Sequence, residues 1–251
     1  MEKKELKKNR FGLLGRNIPY SFSRTYFTQK FKDLGLEDHS YENFDLQDIA
    51  ELPAVLAQGN IRGLNVTIPY KEAVIPFLDA LDPKAEKIGA VNTIKVDEHG
   101  LKGYNTDAHG FQISLEGLLA PHHNKALVLG TGGASKAVFH VLGELGIAPT
   151  YVSRRKSPGQ YTYGELDREI IGNHTLIVNC TPLGTFPHIE ERPDIPYQYL
   201  GKQHLLFDLI YNPDKTRFLA LGEAQGASIG NGLDMLQGQA EQAWEIWNAP
   251  R

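Results

Sequence analysis

The chain has 251 residues, 41% of them hydrophobic and 22% charged, with a formal net charge of −4. That length can supply one large or two ordinary domains with a sizeable core, and the composition is that of an ordinary globular protein. The acidic balance gives no electrostatic case for a nucleic-acid partner. The lone Cys180 leaves no internal disulfide and suits a cytoplasmic protein, and no apolar run approaches the roughly 18 residues of a membrane span.

Lys3, Lys4, Lys7, Lys8 and Arg10 open the chain, interrupted by Glu2 and Glu5, with no apolar segment behind them. They read as a solvated terminus, neither a signal peptide nor a binding arm. Residues 11–15 are a short apolar run ending in glycine, a first strand. Ser23 is expected to cap the next helix, whose Phe27, Phe31 and Leu34 share a face. A helical stretch over 46–58 is expected to break at Pro53. A strand over 61–68 and a helix over 70–81 follow, and residues 91–96 and 101–104 flank Asp97-Glu-His-Gly100 as a hairpin. The first hundred residues thus make an α/β unit of their own.

A helix from about Asp107 to Leu119 leads into a second unit. His122-His123 after Pro121 reads as a solvated turn and not a metal site. Strands over 126–129, 150–153, 175–180 and 205–211 alternate with helices over 133–145 and 163–171. That alternation predicts a parallel, doubly wound sheet. The last helix begins at Leu233 and places Leu236, Ala240, Ala243 and Trp247 on one face, so it can return to the first domain. No internal repeat or low-complexity tract is present.

Gly130-x-Gly132-Gly133-Ala134 follows the strand over 126–129 and opens a helix with Ala134, Val138, Val141, Leu142 and Leu145 on its expected buried face. Phosphate binding needs that context: glycines let backbone approach, and a helix N-terminus offers unpaired N–H groups. The sixth position is Ser135 instead of glycine or alanine. The next strand ends in Ser153-Arg154-Arg155-Lys156. An NAD site puts a carboxylate there for the ribose hydroxyl, whereas cations suit a 2′-phosphate. The expected cofactor is NADP(H).

Asn65-Val-Thr67-Ile-Pro69-Tyr-Lys71 and Asn105-Thr106-Asp107 precede the glycine turn. Lys71 falls near the start of its expected helix, where the macrodipole disfavours a cation, while Asp107 starts its helix where a carboxylate is favoured. A local rule broken in this way marks a functional site, and Lys71 with Asp107 forms a candidate proton-handling pair.

With Gly89-Ala-Val-Asn92-Thr93, Asn179-x-Thr181-Pro182, Asp208-x-x-Tyr211, Lys215-Thr216 and Gly232-Leu-x-Met235-Leu-x-x-Gln239 added, the chain resembles the shikimate dehydrogenase family over nearly its whole length. The resemblance implies an N-terminal α/β substrate domain over 1–106, joined by the C-terminal helix over 233–251, and a doubly wound Rossmann-type NADP-binding domain over 107–232. It implies a cytoplasmic enzyme, monomer or homodimer, that reversibly reduces 3-dehydroshikimate to shikimate with NADPH in aromatic amino-acid biosynthesis, with no nucleic-acid or membrane partner. Lys71 would handle the proton of the reacting oxygen and Asp107 would orient it. Ser21, Ser23, Thr67, Asn92, Tyr211 and Gln239 would hold the substrate. Gly130, Gly132, Gly133, Ala134, Ser153, Arg154, Arg155, Thr181 and Gly232 would line the cofactor. The chain departs from the family at Tyr20, Arg24, Phe27 and Thr28, around the serine loop, and at Ser153, where the family has asparagine. The rivals are a dual quinate/shikimate dehydrogenase and a non-catalytic regulator on the same scaffold.

Overall fold

A computed structural model of the chain describes residues 9–18 and 21–249. They fall into two compact units, one running up to Thr106 and resuming at Ala240, the other spanning Asp107–Gln239. The basic N-terminal stretch before Asn9, and Tyr20, lie outside the described residues.

The first unit is built from β1 (Asn9–Gly15), α1 (Phe22–Asp33), β2 (His39–Asp45), α2 (Leu52–Leu56), β3 (Ile61–Val66), α3 (Tyr70–Ala73), β4 (Ala80–Leu81), α4 (Pro83–Ile88), β5 (Thr93–Asp97) and β6 (Gly100–Tyr104). Its sheet runs β2-β1-β3-β5-β6-β4. β2, β1 and β3 are parallel, and the predicted hairpin is the antiparallel pair β5 and β6. β2 is absent from the sequence reading because it lacks alternation: only Tyr41 and Phe44 are buried, three residues apart. Pairing with β1, which sets Phe11 opposite Tyr41, makes it a strand.

Three helical expectations shift. Ser21 caps α1, accepting from the Arg24 N–H at 2.9 Å, and Ser23 lies buried within the helix. Pro53 sits in the first turn of α2, where its missing N–H is not needed, so it starts this helix instead of breaking one. The helix expected over 70–81 is a single turn, α3, followed by a 3-10 turn at Ile75–Phe77. Pro76 lacks the N–H that would continue the ladder, and its ring crowds the preceding carbonyls.

The core of this unit has two parts. Leu14, Leu52, Leu64 and Ile94 are fully buried at the centre of one. The other gathers Phe11, Phe27, Phe31 and Tyr41 with Ala240, Ala243 and Trp247 from α9 (Leu233–Asn248). Phe27 stacks on Tyr41 at 4.8 Å, which explains an aromatic at this departure from the family pattern.

The second unit contains α5 (Asp107–Leu115), β7 (Lys125–Leu129), α6 (Gly133–Glu144), β8 (Ala148–Ser153), β9 (Tyr161–Thr162), α7 (Arg168–Asn173), β10 (Leu176–Asn179), β11 (Leu205–Asp208), α8 (Arg217–Ala224) and β12 (Ser228–Gly230). All strands are parallel, in the order β12-β11-β10-β7-β8-β9. From β7 the chain steps outward through β8 and β9, then returns and steps the other way through β10, β11 and β12. That reversal beside the first strand defines the Rossmann-type sheet. Residues 163–165 are a 3-10 turn and α7 starts only after Asp167, its N-cap. Leu145 is exposed just past α6, and Ser135 takes a place on the buried face. His123 is buried, not solvated: its Nδ1 accepts from the Ala120 N–H at 3.0 Å, and its Nε2 meets the Gln203 carbonyl at 3.2 Å.

Gly110 of α5 packs directly on the backbone of α9, where an added Cβ would stand 2.2 Å from the Met235 carbonyl oxygen. Backbone on both sides cannot yield as a flexible side chain can. Gly110→Ala is therefore expected to destabilise the protein by about 1–3 kcal/mol or more, read as a lowered midpoint in urea unfolding at unchanged slope.

Candidate active site

Gly130 follows β7 with φ +100, and its N–H donates to the Val152 carbonyl at 2.9 Å. A side chain there would be strained by that φ and would press on the Thr181 methyl, 3.1 Å from a built Cβ. Gly132 is the N-cap of α6, and a Cβ added to it meets nothing within 4 Å. Packing within the protein does not demand a glycine there, whereas a phosphate approaching the first N–H groups of α6 does. Gly133 and Ala134 begin the helix, both half-buried. Ser135 is fully buried and its hydroxyl donates to the Gly132 carbonyl at 2.7 Å, so the unusual sixth residue closes the turn.

The three cations after β8 are not equivalent. Arg154 and Arg155 are exposed. Ser153 shapes the turn before them, its Oγ accepting from the Arg155 N–H at 3.3 Å. Lys156 is paired with Glu165 at 2.5 Å, and together with Thr162 it holds the Glu165 carboxyl down at about 2. The two arginines, and not the lysine, remain to meet a 2′-phosphate. The turn, the helix start and the arginines together fit a dinucleotide carrying that phosphate.

The reversal of strand order falls between β7 and β10, and ligands of open parallel sheets bind at the carboxyl ends of such strands. Thr181 stands there, two residues past the end of β10. Its N–H and hydroxyl both donate to Asn179 Oδ1, at 3.0 and 2.7 Å. Asn179 Nδ2 donates at 3.0 Å to Asp208, at the end of β11. Asp208 is fully buried, and burial pushes its carboxyl up to about 6 against the pull of its hydrogen bonds to Thr216, Ile210 and Asn179. Its unfolded value lies near 3.9. Between the two values the folded state binds more protons, so stability falls as pH rises through that window. The integrated loss is about 3 kcal/mol, complete above the folded value. Asp208→Asn is expected to flatten this slope, with the stability difference moving in the variant's favour between pH about 4 and 7, measured by urea unfolding at each pH.

Gly232 precedes α9, and a Cβ there would stand 2.1 Å from the Leu209 carbonyl oxygen. This glycine is demanded by the protein's own backbone. Tyr211 is 38% exposed. Gln239 is buried on α9, with Nε2 donating to the Leu236 carbonyl at 3.0 Å.

In the first unit the chain returns from β2 across β1 to β3, which creates a second reversal between β1 and β3. Thr67 follows β3, its N–H donating to the Leu14 carbonyl at 2.9 Å, and the Arg16 N–H donates to the Ile68 carbonyl at 3.2 Å. Lys71 lies half-buried on α3, with its carbonyl accepting from the Val91 N–H at 2.7 Å. The macrodipole argument for Lys71 does not survive. In a four-residue helix the first and last turns coincide, so this lysine is not misplaced. Asp107 is buried at the first position of α5 and falls in the second unit.

A buried polar relay links two more predicted residues of the first unit, Ser23 and Asn92. Ser23 is hydrogen-bonded to the Tyr41 hydroxyl, which burial pushes well above the usual phenol range. Tyr41 donates to Asn65 Oδ1 at 2.7 Å, and Asn65 Nδ2 donates to Thr93 Oγ1 at 3.2 Å. Thr93 and Thr106 hydroxyls lie 3.1 Å apart. Asn92 closes the relay, donating from Nδ2 to Thr106 Oγ1 at 3.0 Å and accepting the Thr106 N–H at 2.7 Å. Tyr41 was invisible in the sequence because its strand was. Arg24, beside the serines, is exposed.

Among the described residues no group of three or more His, Cys, Asp or Glu side chains could hold a metal ion, and no helix is long and apolar enough to cross a membrane.

Residues 13–94 match the model of the shikimate dehydrogenase substrate binding domain. The shikimate dehydrogenase (NADP(+)) of Clostridium beijerinckii is 38% identical over 250 residues, covering 94% of this chain and 91% of that one. A crystal structure of shikimate 5-dehydrogenase from Thermus thermophilus in complex with NADP(H) and shikimate superposes with a TM-score of 0.84 at 34% identity, covering 96% of this chain and 94% of that one. Quinate dehydrogenase from Corynebacterium glutamicum in complex with NAD also has a TM-score of 0.84, but at 27% identity, covering 96% and 94%. With relatives this similar across nearly its whole length, the chain belongs to the shikimate dehydrogenase family.

Proposed function

We propose that the chain reversibly reduces 3-dehydroshikimate to shikimate with NADPH, in the cytoplasm, as a monomer or homodimer. The observation that carries this reading is 38% identity to a shikimate dehydrogenase (NADP(+)) over 94% of the chain. Bound NADPH supplies the hydride. The N–H groups at the start of α6 hold the diphosphate beside Gly130, Gly132, Gly133 and Ala134, while Ser153, Arg154 and Arg155 receive the 2′-phosphate and Thr181 and Gly232 line the crevice. Residues 107–232 act as the cofactor domain. Residues 1–106 with the C-terminal helix over 233–251 act as the substrate domain, and Ser21, Ser23, Thr67, Asn92, Tyr211 and Gln239 hold the carboxylate and ring hydroxyls. Reduction of a ketone builds negative charge on its oxygen. The Lys71 ammonium stabilises that charge and delivers the proton, and Asp107 orients the reacting hydroxyl.

The second reading, quinate with NAD, is favoured by the likeness to the Corynebacterium enzyme and opposed by the arginines after β8. Steady-state rates with shikimate and quinate, each with NADP and NAD, separate the two. Shikimate with NADP is expected to be the fastest pair. Faster quinate oxidation with NAD would install the second reading, and no NADPH from shikimate and NADP would leave a non-catalytic ligand binder.

A further inference from the structure

The crevice between β7 and β10 has Gly130 on one lip and Thr181 on the other, and Thr181 depends on a buried carboxylate with no part in the reaction above. Asp208 Oδ1 accepts from Asn179 Nδ2 at 3.0 Å and from the Ile210 N–H at 3.1 Å, while Oδ2 accepts from the Thr216 hydroxyl at 2.6 Å. Asn179 is itself fully buried. Its Oδ1 takes both the N–H and the hydroxyl of Thr181. Thr181 Oγ1 accepts in turn from the Leu183 N–H at 3.4 Å, and the Thr181 methyl faces Gly130.

A side-chain amide has one end that donates and one that accepts. Two donors from Thr181 require the Asn179 oxygen on their side, and that orientation turns the NH2 group into the interior. The NH2 group meets the Leu183 carbonyl at 3.5 Å and Asp208 at 3.0 Å, and the close, charged acceptor that holds the orientation is Asp208. Without it, a buried amide could rotate and set its NH2 against the Thr181 N–H. Burying a carboxylate among neutral donors is unfavourable in itself, so a group retained there points to a constraint other than core stability.

We propose that Asp208 is a positioning residue for the cofactor: by fixing the orientation of the Asn179 amide, it holds Thr181 and the turn after β10 at the spacing from Gly130 that the dinucleotide needs. This rests on the reading that the crevice binds NADP(H). It concerns orientation and not charge, so a neutral side chain of the same shape can serve. In Asp208→Asn the new Oδ1 still accepts from Asn179 and Ile210, and the Thr216 hydroxyl rotates to accept from the new Nδ2.

The test is the dissociation constant of NADP+, measured by titration calorimetry without turnover. Asp208→Ala and Asn179→Ala are each expected to weaken binding about ten-fold, and the double variant no more than either, because they break one chain. Asp208→Asn is expected to stay within about two-fold of the wild type. Amide hydrogen exchange at Thr181 should quicken in both alanine variants and not in Asp208→Asn. Should Asp208→Ala fail to fold, Asn179→Ala and Asp208→Asn carry the test. The proposal is overturned by NADP+ binding unchanged in Asn179→Ala, by additive losses in the double variant, or by Asp208→Asn binding as weakly as an alanine variant. A wild-type protein that does not bind NADP+ would remove the cofactor reading itself and this inference with it. Wild-type binding with unaffected variants removes this inference alone.

Discussion

Replacing Lys71 by alanine is expected to lower turnover of shikimate with NADP by two to four orders of magnitude, about the worth of a positioned acid or base. Folding should survive, because the substitution keeps the backbone bond in which the Lys71 carbonyl accepts the Val91 N–H. The loss should fall on kcat and on kcat/KM alike, since the ammonium acts on charge that develops only in the transition state. Lys71→Arg should rescue little, because a planar, always-charged guanidinium cannot deliver a proton as a compact ammonium can. NADPH absorbance gives the rates and urea unfolding the control. Turnover within a few-fold of wild type in a folded Lys71→Ala protein would remove Lys71 from the chemistry.

Arg154→Ala and Arg155→Ala are expected to raise the KM for NADP by about ten- to hundred-fold, the worth of one charge-assisted hydrogen bond to phosphate. The KM for NAD should stay nearly constant, because NAD lacks the 2′-phosphate. Lys156→Ala supplies the contrast. Its ammonium is already paired with Glu165, so its loss should change the NADP constant by no more than about two-fold. Raising salt should shrink the arginine effects, since both side chains are exposed. An unchanged ratio of NADP to NAD use in both arginine variants would move the 2′-phosphate elsewhere.

Much of this was legible before the fold was known. The apolar strand over 126–129, the glycine turn and the helix behind it are local in sequence, and each residue type has a local physical reason to stand where it does. The hairpin of β5 and β6 and the start of α5 at Asp107 were legible for the same reason. Other elements were misread where a local signal was weak or carried two meanings. Pro53, read as a helix breaker, begins a helix, and the cap expected at Ser23 is supplied by Ser21; neighbouring backbone decided both.

By itself, the sequence determined the class of fold, the glycine turn, the arginines that favour NADP and the polar residue types gathered ahead of them. Those features repeat at helix or strand period, or depend on residues a few positions apart. Only the tertiary structure decided that residues 39–45 form a strand, that Tyr41 joins Ser23 to Asn65, and that Asp208 holds Asn179 and through it Thr181. Each of these joins groups on elements far apart in the sequence. Burial and hydrogen-bond partners are set there by which strands lie side by side, and no local period records that.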